Sequence, residues 1–224
     1  VTAAEQTAGR GRQGRTWAAP AASALLCSLV LRDPPALLSL IAGVAVCDAV
    51  GVQARVKWPN DVVVESPAGV EETAGAASRT GAERGVSPPG SPPPPKLAKL
   101  AGILVEGRPQ EGWAVLGIGV NVAVNVEDLP EEVRPRAASL ERPAGAIEPL
   151  LAELLTALAR RLAEPRERVL EAWRERDALL GRDVFWAGGT GRAGGVDDRG
   201  RLLVGLSGGA IARLDAGEVH LGLA

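Results

Sequence analysis

The sequence predicts an α+β protein in which a mixed β-sheet packs with helices and a small module of short strands completes the chain. Three observations carry this prediction. Apolar runs of strand length recur between residues 24 and 122. The apolar spacing then changes to a four-residue period between 147 and 162. Finally, residues 181–224 divide into short apolar stretches separated by Gly/Asp turns. The division this implies is a larger domain over 1–180 and a small β-barrel over 181–224.

Taken in order, "ALLCSLVLR" at 24–32 is a continuous apolar run of strand length, and predicts a buried strand. "PALLSLIAGVAVCDAVG" at 35–51 opens with proline and closes with glycine, which is helix punctuation, and its apolar residues point to most sides. "QARVKWPND" then leads into the β-branched strand "VVVE". Residues 66–95 hold almost no large apolar side chain and end in a proline run. Such a segment cannot offset its ordering entropy by burial, so it is expected to be a disordered insertion. "LAGILVEG" and "WAVLGIGVNV" predict two neighbouring strands joined through "RPQEG". Leu150, Leu154, Leu158 and Leu162, with Leu151 and Leu155 beside them, form the stripe of an amphipathic helix. Pro165 breaks it, and "RERVLEAWRERDALL" predicts a second helix running to Gly181. "DVFWAG", "GRLLVGL", "AIARL" and "EVHLG" complete the reading as short strands.

Composition excludes several classes. A net charge of -2 gives no overall basic field for nucleic acid. The longest apolar run, 36–47, is too short to span a bilayer, and the first residues lack the apolar region of a secretory signal. Two cysteines outside any CxxC pair and a single histidine make no metal cluster. The expected location is the cytoplasm, with both thiols reduced.

Against this near-neutral background "GRGRQGRTW" at 9–17 is a local concentration of cations among glycines. Residues 9–14 formally match GxGxxG, but Pro20 and the lack of a helical stripe remove the helix a dinucleotide fingerprint requires. A single short copy in an acidic chain is weak support for an RGG-like RNA contact. The third reading is a mobile anion-binding loop, in which glycines allow close backbone approach and guanidinium groups grip phosphate. It would be ordered only by its ligand.

The stretch is followed in order by "KWPND" at 57–61, "KLAGILVE" at 99–106 and "GIGVNV" at 117–122. Together these resemble the biotin–protein ligases over residues 1 to about 122, with weaker agreement through the helices. The resemblance implies the biotin–lipoate ligase fold, akin to class II synthetases, with a C-terminal SH3-like barrel. It implies biotin and ATP as substrates, Mg²⁺ as the ion, and biotinyl-5'-adenylate as the intermediate. A lysine of a biotin carboxyl carrier domain is the implied acceptor.

It also implies roles for particular residues. Gln6, Gly9, Arg10, Gly11 and Arg12 would line the biotin and adenylate site, Arg15 would touch phosphate, and Trp17 would pack near the adenine. Lys57 would contact phosphate, Asn60 would bind the adenylate, and Asp61 would hold Mg²⁺ or orient the reacting groups. Lys99 would hold the biotin carboxylate, with Gly102 beneath the ligand and Asn121 on the adenylate or ribose; otherwise Asn121 is a structural asparagine at a strand end. Arg10, Arg12, Lys57, Asp61 and Lys99 are the implied catalytic set.

Relatives also carry an earlier segment with a Ser-Thr-Asn motif for biotin's ureido group, which residues 1–224 do not include. The sequence reading therefore expects more chain upstream of Val1 and leaves the activity of the chain as written open. A DNA-binding winged helix is not expected within residues 1–224, so DNA is not an expected partner, and the short apolar runs make a membrane an unexpected one. Pairing through a sheet edge is the family's route to a homodimer. A lipoate–protein ligase, or a non-catalytic remnant binding a carrier domain or nucleotide, are the alternatives.

Overall fold

The computed structural model describes residues 1–51, 53–66, 95–108, 111–215 and 219–221. Apart from its two end residues, the insertion expected over 66–95 lies outside them. Six strands form the main sheet: β1 (Thr2–Ala3), β2 (Ala24–Arg32), β3 (Arg55–Lys57), β4 (Asp61–Ser66), β5 (Lys96–Arg108) and β6 (Trp113–Asn121). Their order is β1-β2-β6-β5-β4-β3. Every pairing among these strands is antiparallel, so the expected mixed sheet is corrected.

Alternation along the strands decides which face is covered. Ala114, Leu116, Ile118 and Val120 of β6 join Leu25 and Cys27 of β2 in the main core. Against that face lies α1 (Leu38–Val50), of whose 13 residues 11 are buried. This explains why its apolar residues show no single stripe: α1 is sandwiched between the sheet and two further helices. It stops at Gly51, which adopts the left-handed conformation that glycine accepts without cost. The amphipathic α2 (Ile147–Ala163) covers α1 through Leu150, Leu154, Ala157 and Leu158.

The last main-domain helix, α3 (Arg166–Arg174), follows the Pro165 break but ends well short of Gly181. Its continuation has other backbone partners. Val56 N–H donates to Arg176 O at 2.8 Å, and Ala178 N–H donates to Val56 O at 3.0 Å, so this segment lies along the sheet edge at β3. One carboxylate ties α1 to α2 and to the segment that follows α3. Asp48 on α1 accepts from Arg161 at 2.7 Å, Arg160 at 2.8 Å and Arg176 at 3.0 Å. Burial alone would push its carboxyl up. The hydrogen bond and charge of Arg161, with the charges of Arg176 and Arg160, outweigh this and hold it below the usual range.

Asp177, in the segment beside β3, behaves oppositely. It is 4% exposed, its Oδ1 accepts from Leu179 N–H at 2.8 Å, and its Oδ2 is buried with no hydrogen-bond partner. Burial pushes this carboxyl up to about 6. A raised value means that its contribution to stability is present below the ordinary value of 3.8 and is lost as pH rises through about 6. At pH 8 the fold therefore carries a buried charge, at a cost of roughly 3 kcal/mol. Asp177→Asn keeps the Oδ1 acceptor and removes the charge. Thermal denaturation should find this variant more stable than the parent at neutral to basic pH, with the gap narrowing towards pH 4. A gap independent of pH would contradict the assignment.

The C-terminal strands β7 (Asp183–Trp186), β8 (Gly189–Val196), β9 (Leu202–Gly205), β10 (Ile211–Leu214) and β11 (His220–Leu221) form a second antiparallel sheet. Its order is β10-β9-β8-β7-β11. The sequence did not foretell β8, because "GTGRAGGV" has few side chains of the kind that mark a strand. Its glycines have local causes. A Cβ on Gly191 would stand 2.5 Å from Gly205 O, and Gly195 takes φ +90 where the register shifts. Among the described residues β10 and β11 remain the sheet's two edges, so it does not close into the expected barrel.

The module sits against the start of α1. Trp58 Nε1 donates to Gly200 O at 3.0 Å, and Leu37 and Leu40 crowd the same turn. Arg174 on α3 donates to Val196 O at 3.1 Å.

Candidate active site

The helix-free face of the sheet gathers the motifs into one line. Lys57 stands opposite Asp61, Asp61 opposite Gly102, Gly102 opposite Gly119, and Gly119 opposite Leu26. Residues directly opposed in antiparallel strands project to the same face. The adjacent row, Val56, Val62, Ala101, Val120 and Leu25, belongs wholly to the core under the helices. A slip of one residue would exchange the two rows and bury the charged one, so core packing sets the register that presents the site.

Trp17 lies on the two glycines. A Cβ on Gly102 would stand 2.8 Å from the indole, and one on Gly119 would stand equally close at 2.8 Å. Only glycine at both positions lets the ring reach the sheet. Lys99 Nζ is 5.5 Å from the ring centroid and 2.7 Å from Asp61 Oδ1, so one ammonium meets both a carboxylate and an aromatic face. The Lys99 carbonyl accepts from Ala138 N–H at 2.8 Å, which fixes its backbone to the segment after β6. Ala24, Leu26, Val124 and Leu129 form a small apolar cluster beside Trp17.

The Arg/Gly stretch has a shape of its own. Trp17 N–H donates to Gly9 O at 3.0 Å and Gly11 N–H to Arg15 O at 2.7 Å, while Arg10 bridges Thr16. The tip turns through Gln13 at φ 56 and Gly14 at φ 75. A Cβ on Gly9 would stand 2.3 Å from Trp17 O and 2.8 Å from Gln6 Oε1, so the closed hairpin requires glycine there.

This hairpin separates the arginines. Arg12 points inward and donates to Asn60 Oδ1 at 3.0 Å. Arg10 points outward, its side chain 77% exposed and 3.9 Å from Glu106. Arg15 is exposed as well. Asn60 is a clamp, since its Nδ2 also donates to Ile103 O at 3.0 Å. Asn121 is buried, and its Nδ2 donates to Ala138 O at 2.8 Å, the structural role weighed for it.

The structure adds residues that no motif marked. A cavity of about 210 Å³ is lined by Arg12, Ser39, Pro59, Asn60, Ile103, Val105 and Asp215. Ser39 comes from the start of α1 and donates to Pro59 O at 2.9 Å, and Asp215 follows β10 in the C-terminal module. Ser39 and Asp215 lie far apart in sequence, and neither stands in a recognisable pattern.

The donor set does not match a protein-built metal centre. Among the described residues no group of three or more His, Cys, Asp or Glu could hold an ion. Asp61, the expected ligand, is already paired with Lys99 through Oδ1. Also among the described residues, no helix is long and apolar enough to cross a membrane.

Residues 1–125 match the model of the biotin/lipoate A/B protein ligase family. A biotin–[acetyl-CoA-carboxylase] ligase of Mycobacterium tuberculosis is 33% identical, over 99% of this chain and 78% of that protein. The ligase of the same description from Paracoccus denitrificans is 30% identical over 91% and 82%. Among solved structures, the biotin protein ligase from Aquifex aeolicus in complex with biotin and ATP superposes with a TM-score of 0.73. It is 24% identical and covers 100% of this chain and 88% of the other.

Proposed function

The chain belongs to the biotin/lipoate A/B protein ligase family, and we propose that it condenses biotin with ATP and passes the biotinyl group to a protein lysine. It is a biotin–protein ligase, as its relatives are named. The observation that carries the site assignment is the row Lys57, Asp61, Gly102 and Gly119, with Lys99 and Arg12 brought to it from separate motifs.

In the first step a biotin carboxylate oxygen bonds to the α-phosphorus of ATP, and pyrophosphate departs. Both partners are anions, so the site must offset their repulsion while holding them close. Lys99 is placed to take the biotin carboxylate by exchanging it for Asp61. Gly102 and Gly119 leave room on the sheet, and Trp17 supplies an apolar wall. Arg12, held by Asn60, and Lys57, at the end of β3, supply positive charge for the phosphates. The exposed Arg10 is less directly placed than Arg12. In the second step an acceptor lysine nitrogen bonds to the biotinyl carbonyl carbon, AMP leaves, and the amine releases its proton.

The acceptor we assign is a biotin carboxyl carrier domain of a cytoplasmic carboxylase. Residues 1–180 are read as the catalytic domain and 181–224 as the family's small SH3-like domain. The test is mass spectrometry after incubation with biotin, ATP and Mg²⁺. Biotinyl-AMP with pyrophosphate, and a biotinylated lysine when a carrier domain is added, are the expected products. Adenylation of lipoate in preference to biotin would overturn the substrate.

A further inference from the structure

Resting on the ligase reading, we propose that Asp215 receives the ammonium group of the incoming acceptor lysine and so selects a lysine side chain for the transfer step. The cavity it lines is polarised, with Arg12 and Asn60 contributed by the loop and the "KWPND" turn and Asp215 by the C-terminal module. At about 210 Å³ it is smaller than the range of roughly 300–1,000 Å³ that holds whole small-molecule ligands. It suits a slender side chain better than a nucleotide.

Its charge pattern also discriminates. A carboxylate facing the phosphates of ATP would repel them, whereas an alkyl-ammonium chain gains from it. The guanidinium of the nearby Arg201 is hydrogen-bonded to Asp197 at 2.7 Å and interacts with Asp215 through its charge, so an incoming ammonium would share this carboxylate with it. Asp215 is exposed and can therefore be reached by a side chain of another protein.

Asp215 is thus a positioning residue acting by ion pairing before the bond forms. The lysine nitrogen then loses one proton to solvent, bonds to the biotinyl carbonyl carbon, displaces AMP and releases a second proton to solvent as the amide forms.

The experiment compares two nucleophiles on the same enzyme. One is a carrier domain bearing its lysine, and the other is hydroxylamine, which is largely uncharged at neutral pH and traps the adenylate as biotinyl hydroxamate. Asp215→Asn should raise the KM for the carrier domain by about tenfold, and Asp215→Arg by more, while hydroxamate formation falls far less. The carrier-to-hydroxylamine ratio is the readout, since general damage to the fold would lower both products together. An equal fall in both, or an unchanged ratio in both variants, would overturn the proposal while leaving the ligase reading intact. If the parent enzyme formed neither product from biotin and ATP, the ligase reading itself would fail.

Discussion

Lys99→Ala is expected to slow biotinyl-adenylate formation by about 10²–10³-fold, the scale for removing one donor aimed at developing charge. The argument is geometric. Lys99 Nζ lies 2.7 Å from Asp61 and 5.5 Å from the centre of the Trp17 ring, above the glycines that leave space on the sheet. No other lysine shares this position: Lys96 sits at the start of β5, opposite Ser66. The variant should fold, because the Lys99 side chain is 36% exposed and its structural bond to Ala138 comes from the backbone. Pyrophosphate release at saturating ATP measures the effect, and biotin titration separates lost binding from lost rate. A variant within a few-fold of the parent would remove Lys99 from the reaction.

The largest effect on stability is expected at Asp48. Its side chain is 11% exposed and faces Arg161 and Arg176, themselves 12% and 29% exposed. Arg160 is 59% exposed and adds little. Asp48→Ala removes the carboxylate that the Arg161 and Arg176 guanidinium groups share, but Arg161 keeps Glu164 at 2.8 Å and Arg176 keeps Ala172 O at 3.0 Å, so the cost is about 3 kcal/mol, the low end for breaking a buried pair. In a protein of this size that corresponds to a fall in Tm of roughly 10 °C. Denaturant unfolding of Asp48→Ala and Asp48→Asn measures it directly. A loss below about 1 kcal/mol would show that the arginines find solvent without cost.

These two positions differ in how visible they were beforehand. Lys99 stood in "KLAGILVE" and could be singled out by resemblance. Asp48 stood in "VCDAVG" with nothing to distinguish it from any polar residue at a helix end. Its role depends on three arginines more than a hundred residues away.

The same division runs through the fold. The strands at 24–32 and 113–121 and the helix at 147–163 were legible because apolar runs of strand length and a four-residue stripe are local consequences of burial. The glycine-rich β8 was not, since its pairing is set by the neighbouring strands β7 and β9. Nor was the early end of α3, where Arg176 and Ala178 exchange helical bonds for bonds to Val56.

By itself the sequence determined the types of most elements, the charge local to residues 9–15, and the four motifs that mark a ligase. Tertiary structure decided that Lys57, Asp61, Gly102 and Gly119 form one row, that Arg12 points inward while Arg10 points out, and that Asp215 reaches the same cavity. The physical reason is that element type follows from neighbours a few residues apart, whereas a site is a meeting of side chains from different strands. That meeting is fixed only when the register of the whole sheet is set by burial of its other face.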